Sequence, residues 1–308
     1  MITRPMKFLS ESITDEQLEL IRYPMYGSAK LDGILALDTG VCVLSATLKK
    51  IGNKYIQKCL SEKEYEGLQG ELIVGSPYAE NEEDDVFNRT TGPVRRSDGE
   101  PNFTFYVFDD FGYLNLSYED RWLKMTQNVG DFQLPHVVVL EQTPLYCPQD
   151  VITFSNKKED EGYEGAIIRA PWAPYKQGRT TFREQYGFKR VNWIHEEAEI
   201  IGFVEANENQ NEKLTNELGL SKRSNHKENL VPKGTLGAFI LKNNKWKKEF
   251  NCGTIKGGTI EFRQWVWDHR KECLGKIWCY KYKAVGSIEA PRQPIGKGFR
   301  DKSDITNY

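Results

Sequence analysis

In Lys30-Leu31-Asp32-Gly33 the turn Asp32-Gly33 lies between two short apolar runs, residues 27–31 and 34–37, and a third run follows at 41–44 after the turn Asp38-Thr39-Gly40. The pattern reads as strand, turn, strand, turn, strand. The lysine precedes an acid and a turn glycine, an arrangement that suits a nucleophile. A free lysine has a pKa near ~10.4, so such a role requires nearby cations or partial burial to favour the neutral amine.

Working outward, residues 14–21 have apolar positions at helical spacing with Asp15 near the start, and residues 53–59 read as a second helix. Residues 68–74, 103–108, 133–141, 166–169 and 199–203 read as strands, and 159–162 as an acidic turn. Residues 81–101 are polar, charged and rich in turn formers, which predicts a long surface loop. Residues 207–213 read as a linker or hairpin. Short strands follow at 235–241, 249–252 and 276–284, with a helix at 261–270 before the last. This basic, strand-rich half suits a five-stranded barrel of the oligonucleotide-binding (OB) type.

A length of 308 residues with 39% hydrophobic and 12% aromatic side chains is enough for a large domain or two smaller ones. No apolar stretch is long enough to cross a bilayer, and residues 1–10 lack the features of a signal peptide, so a cytoplasmic location and no membrane partner are expected. The six cysteines form no CxxC pair, and the four histidines complete no zinc pattern; free thiols, most of them buried, are expected. The net charge of −2 is unevenly spread. Residues 1–205 carry 22 basic and 33 acidic side chains, or −11, and residues 206–308 carry 20 and 11, or +9. A boundary near 205/206 and a polyanionic partner for the second half follow.

Further motifs succeed the lysine in order: Gly70-Glu71-Leu72-Ile73-Val74-Gly75, Phe105-Tyr106-Val107-Phe108-Asp109, Tyr163-Glu164-Gly165-Ala166-Ile167-Ile168-Arg169 and Phe188-Lys189-Arg190. Pro174 to Arg179, Pro291-Arg292-Gln293-Pro294 and Lys297-Gly298-Phe299-Arg300-Asp301 complete the set. This ordered set resembles the ATP-dependent DNA ligases, in particular the small phage-type members of the covalent nucleotidyltransferases. The resemblance runs over nearly the whole chain. It implies an α+β fold: an adenylation (nucleotidyltransferase) domain of ATP-grasp-like antiparallel sheets over residues 1–205, then an OB-fold β-barrel that binds DNA over residues 206–308.

The resemblance also implies roles. Lys30 would attack ATP and release pyrophosphate, leaving lysyl-AMP. The AMP would pass to a 5′-phosphate at a nick in duplex DNA, and the neighbouring 3′-hydroxyl would then displace it. Asp32 and Lys189 would join Lys30 in catalysis. Leu31, Gly33, Glu71, Phe108 and Glu164 would line the nucleotide site, with Phe108 stacked on adenine. Glu71 and Glu164 are hard oxygen ligands suited to Mg²⁺, with Mn²⁺ as a substitute. Lys189 would hold the α-phosphate oxygens, and Arg292, Lys297 and Arg300 would meet the leaving pyrophosphate. Lys242, Lys245, Lys247 and Lys248 form a basic cluster that reads either as a DNA face or as solubilising surface. A self-sufficient monomer in the cytoplasm, the host's if phage encoded, is expected.

Three family positions depart from the pattern. Leu35 stands where the first motif usually continues to arginine, Ala46 follows Ser45 where arginine is usual, and Gly187 replaces the first of two lysines in the fifth motif. Each removes a cation from the nucleotide or 5′-phosphate pocket, with Lys49, Lys50, Lys176 and Arg179 as candidate substitutes. These departures motivate one alternative, a nick-binding protein with weak or lost catalysis; an RNA ligase and a capping guanylyltransferase are the alternatives within the same enzyme family.

Overall fold

In a computed structural model, the structure describes residues 2–81, 84–191, 193–210, 213–215, 221–223, 229–283, 287 and 289–300. The chain divides into two compact units, Met1–Val191 and Asn192–Tyr308. The expected boundary at 205/206 is thus too late. A single strand, Trp193–Asn209, runs through it and belongs whole to the second unit's sheet. The shift moves Glu196, Glu197, Glu199 and Glu205 across, leaving 22 basic and 29 acidic residues (−7) before 192 and 20 basic and 15 acidic (+5) after. The asymmetry keeps its sign and loses about half its size.

The first unit holds two main sheets. One has the strand order Gly187–Arg190, Ala166–Arg169, Met25–Ala29, Thr143–Leu145, all antiparallel. The other runs Val43–Ser45, Ile34–Asp38, Leu68–Val74, Phe103–Asp110, Val137–Val139, antiparallel except for the last pair. The strands on either side of Lys30-Leu31-Asp32-Gly33 therefore lie in different sheets, and the tetrapeptide is the crossing between them. Alternation along the second sheet turns Leu72 and Phe105 into an apolar core with Ile56, Leu60, Val94 and Met125, and turns Leu35 and Glu71 to the other face. The first sheet packs Met25, Ile168 and Phe188 on Leu18 and Val151.

Helix Asp15–Leu18 is shorter than expected, closed by a capping box between Thr14 and Gln17. Asn53 caps helix Lys54–Leu60 by accepting from Ile56 N. The long loop expected at 81–101 is a helix over Val86–Arg95, capped by Asp85 and burying Val86, Thr90 and Val94. Gly92 and Pro93 hid it in the sequence, yet three inward positions at i, i+4 and i+8 suffice once the sheet covers them. Helices Tyr118–Phe132 and Pro148–Asp160 have no counterpart in the sequence reading. The acidic turn at 159–162 is the end of the second of these, closed by Gly162 at φ +87°.

The second unit pairs Lys213–Thr215 with Ser221–Arg223 and is otherwise built on a six-stranded sheet, ordered Phe250–Cys252, Leu230–Lys242, Trp193–Asn209, Ile277–Lys283, Arg292–Arg300, Thr254–Ile255. Its two terminal strands are consecutive in the chain, separated only by Gly253, so the sheet curls until its edges meet. Trp278, Tyr280, Phe239 and Ile200 fill the interior, and helix Ile260–Asp268 adds Val266. Of the linker or hairpin expected at 207–213, Asn207–Asn209 end a strand that pairs antiparallel with Leu230–Lys242, which rules out a linker there; residues 211 and 212 lie outside the described residues. Two cysteines, Cys252 and Cys273, are buried and four are half-buried, fewer buried than expected, and all six are free thiols. Among the described residues no helix is long and apolar enough to cross a membrane.

Candidate active site

The crossing from one sheet to the other delivers Lys30 to a cavity of about 160 Å³ in the first unit. The Lys30 backbone N–H donates to Gly165 O at 2.8 Å, which ties the lysine to the segment that carries Glu164. Gly33 is required for close approach: a Cβ there would lie 2.3 Å from Leu72 O. The expected turn glycine is thus a contact glycine against the strand that carries Glu71.

Lys30 Nζ forms an ion pair with Glu164 Oε2, and the two side chains are 21% and 8% exposed. Burial lowers the amine's pKa, but Glu164, with Asp32 and Glu71 behind it, outweighs that and leaves it above the ordinary value. In the ligand-free protein Lys30 is therefore a stabilised ammonium. The expectation that cations or burial hold it neutral is not met here, because carboxylates rather than cations surround it. Glu71 shows the converse: burial pushes its pKa up to about 8; Lys30 opposes the shift, whereas Glu164 and Asp32 reinforce it. Leu31 also lines the cavity.

Phe108 lies at a β-bulge, where Gly70 pairs with Val107 and Gln69 with Asp109. The bulge lets Phe108 and Asp109 both line the cavity, and Phe108 belongs to none of the apolar cores. Lys189 pairs across the first sheet with Ile167, which pairs with Ser28. These three share one face, and Ile167 and Ser28 line the cavity. Lys30, Leu31, Asp32, Gly33, Glu71, Phe108, Glu164 and Lys189 are thus gathered in one unit.

Arg292, Lys297 and Arg300 lie on one strand of the second unit. Arg300 pairs with Glu197, Lys297 Nζ lies 2.9 Å from His195 Nδ1, and the Arg292 backbone N–H donates to Ser287 Oγ at 2.7 Å. In the basic cluster, Lys245 pairs with Glu196 at 2.6 Å, Lys242 lies 3.7 Å from Glu249, and Lys248 pairs with Glu289.

Sequence reasoning missed the rear of the cavity. Asp109 is fully buried, accepting from Arg121 Nε at 2.7 Å and from Arg169 Nη2. Burial raises its pKa, but the two guanidiniums outweigh that and hold it below the usual carboxylate range. The Arg169 guanidinium lies 3.7 Å from the centre of the Tyr118 ring. An aspartate closing an aromatic strand was the available signal; its two partners come from residues 121 and 169, too far along the chain for any local pattern to join.

Two of the three missing cations, at Leu35 and Gly187, have a structural counterpart. Leu35 lines the cavity directly. At Gly187 a Cβ would lie 2.3 Å from the Phe8 ring, so the ring occupies the space a lysine side chain would need. None of the proposed substitutes lines the cavity: Lys49 and Lys50 are exposed, Lys176 pairs with Glu184 at 2.5 Å, and Arg179 donates to Phe8 O at 2.6 Å. Among the described residues the cations lining it are Lys30 and Arg169.

The donor set fits a divalent cation of the Mg²⁺ kind. Glu71 and Glu164 offer hard oxygens, and Glu71 holds a proton that a cation would replace. No group of three or more His, Cys, Asp or Glu forms a metal cage among the described residues.

Comparison with solved structures gives the fold. A Chlorella virus DNA ligase-adenylate is 22% identical with a TM-score of 0.54, and the match covers 97% of this chain and 100% of that one. A structure from work on Lig E DNA ligases is 18% identical with a TM-score of 0.65, covering 90% of this chain and 92% of that one. A structure described as Pmar-Lig_PreS3 gives 18% identity and a TM-score of 0.67, covering 97% of this chain and 68% of that one. The chain has the fold of small DNA ligases. It is α+β, with a nucleotidyltransferase-type domain followed by an OB-type barrel. No protein-family model matches the sequence. No curated protein matches it significantly. Within this ligase fold, the cavity lies in the nucleotidyltransferase-type domain.

Proposed function

We propose that the protein is an ATP-dependent DNA ligase that seals nicks in duplex DNA through lysyl-AMP and DNA-adenylate intermediates. The observation that carries this reading is the placement of Lys30 on the wall of a cavity shared with Glu71 and Phe108, in ion contact with Glu164. In the first step Lys30 Nζ loses a proton and bonds to the α-phosphorus, and the bond to pyrophosphate breaks. Glu164 holds the ammonium before the step, and its carboxylate is the nearest acceptor for the proton. Phe108 stacks on the base, and Lys189 meets the α-phosphate oxygens. Glu71 and Glu164 would hold a divalent cation, which supplies charge neutralisation on the phosphates. The second unit binds the duplex backbone, and Arg292, Lys297 and Arg300 engage pyrophosphate. The protein acts as a monomer in the cytoplasm.

Incubation with labelled ATP and Mg²⁺ tests the first step. The expected product is a covalent protein–AMP adduct, stable to alkali and labile to acid as a phosphoramidate is, and absent from Lys30→Ala; a folded wild type with no adduct would remove the enzyme reading. A second reading, a nick-binding protein with weak or lost catalysis, is favoured by Leu35 and by Phe8 against Gly187, which leave apolar groups where cations were expected. Nick binding without an adduct would establish it. Sealing of nicked RNA but not DNA would point to an RNA ligase.

A further inference from the structure

We infer that Phe8 is a ligand-contacting residue, an aromatic wall that packs against the nucleotide's base where a charged side chain at position 187 would otherwise enter the cavity. This rests on the nucleotide reading of the site above. Phe8 lines the cavity and belongs to none of the unit's apolar cores. Its ring lies 5.5 Å from the Arg169 guanidinium, and its Cε1 would stand 2.3 Å from a Cβ on Gly187. Gly187 pairs across the sheet with Arg169, so the ring covers two adjacent positions of the face that also bears Lys189 and Ile167.

The ring is held in place from outside the cavity. Met6 and Lys7 form a short parallel pairing with Gly178 and Arg179. Thr3 donates twice to Gln177 Oε1, at 2.6 and 2.7 Å, and Met6 N donates to Tyr175 OH at 3.1 Å. Thr180 N donates to Lys7 O at 2.8 Å, and Arg179 Nη1 donates to Phe8 O. The Tyr175 hydroxyl in turn donates to Gln69, another cavity residue. Beyond Phe8, Ile13 N donates to Lys189 O at 2.9 Å, so the N-terminal segment is a strap fixed on both sides of Phe8, which removes most of the entropic cost of presenting an aromatic ring to a ligand. A ring at this position favours an uncharged planar group over a phosphate oxygen. The site therefore gains affinity from base stacking on a side where a lysine would have supplied charge.

Equilibrium binding of AMP, with thermal melting alongside, tests this. AMP leaves no pyrophosphate to displace, so binding is read without adduct formation. Phe8→Ala is expected to weaken AMP about ten-fold or more. Phe8→Leu, which fills the space without a ring, is expected to keep the melting temperature and still lose AMP affinity. Gly187→Lys is expected to fail alone and to be tolerated with Phe8→Ala, since the pair exchanges ring for side chain. Wild-type AMP affinity in Phe8→Ala would overturn the inference, as would full recovery by Phe8→Leu or an unaffected Gly187→Lys. In those cases the wild type still binds AMP and the nucleotide reading survives. No AMP binding by the wild type would overturn both.

Discussion

Moving from pH 7 to pH 9 should lower the Mg²⁺ concentration that half-saturates adduct formation about ten-fold. The magnitude comes from Glu71, whose pKa burial raises to about 8. A cation binds only the ionised carboxylate, so its apparent midpoint rises by a factor of one plus the ratio of protonated to ionised Glu71. That factor is about 11 at pH 7 and about 1.1 at pH 9. Lys30 titrates as well, but its amine stands above its ordinary pKa, so over this window its neutral fraction changes the rate at saturating Mg²⁺ and not the midpoint. Mg²⁺ titrations of the initial adduct rate at several pH values separate the two effects. Glu71→Gln carries no titrating proton and should show a weak, pH-independent midpoint. A wild-type midpoint that stays flat between pH 7 and 9 would refute the assignment. A fall that persists in Glu71→Gln would move it to another group.

Other perturbations test other parts of the molecule. Asp109→Asn leaves Arg121 and Arg169 buried without their counter-charge and should cost roughly 3–5 kcal/mol, read by urea unfolding; a loss under about 1 kcal/mol would mean the pair is replaceable. Gly33→Ala forces the Lys30–Gly33 crossing off Leu72 O and should slow adduct formation roughly 100-fold in a folded protein, whereas a wild-type rate would show the crossing is not constrained. Binding to nicked duplex DNA should weaken more than about ten-fold between 50 and 200 mM salt; indifference to salt would deny the second unit a phosphate-tracking role. Asp38 is fully buried with Oδ2 lacking a partner among the described residues, and burial raises its pKa to about 8 from 3.8. The folded state keeps a proton that the unfolded chain gives up, so stability falls as pH rises from about 4 to 8. Asp38→Asn should therefore gain stability over wild type progressively across that window, by at most about 1.4 kcal/mol per pH unit, and a pH-independent difference would contradict this.

What could be read in the sequence was whatever is local. Strand Ala166–Arg169 was placed at its true bounds, and Asn53 marked a real helix start. Lys30, Glu71, Phe108, Glu164 and Lys189 are legible through the order of motifs that resembles the DNA ligases, and the fold gathers them in one unit. Helix Val86–Arg95 escaped because its inward face is only Val86, Thr90 and Val94, and Gly92 and Pro93 argued against a helix. The unit boundary escaped because composition shifts gradually, whereas Trp193–Asn209 is one hydrogen-bonded strand. Phe8 escaped because its importance is a relation to Gly187, 179 residues away, and neither residue alone announces it.

The charge balance of the cavity follows from these placements. Its two lining cations, Lys30 and Arg169, each face an acid, Glu164 and Asp109, while burial keeps Glu71 mostly protonated at neutral pH. Leu35 and Phe8 add no charge where cations were expected. A polyphosphate approaching this site therefore meets little net positive potential from the cavity lining itself. Under the proposed function, discrimination would shift to the base, through Phe108 and Phe8, and charge neutralisation to Lys189 and to a cation on Glu71 and Glu164.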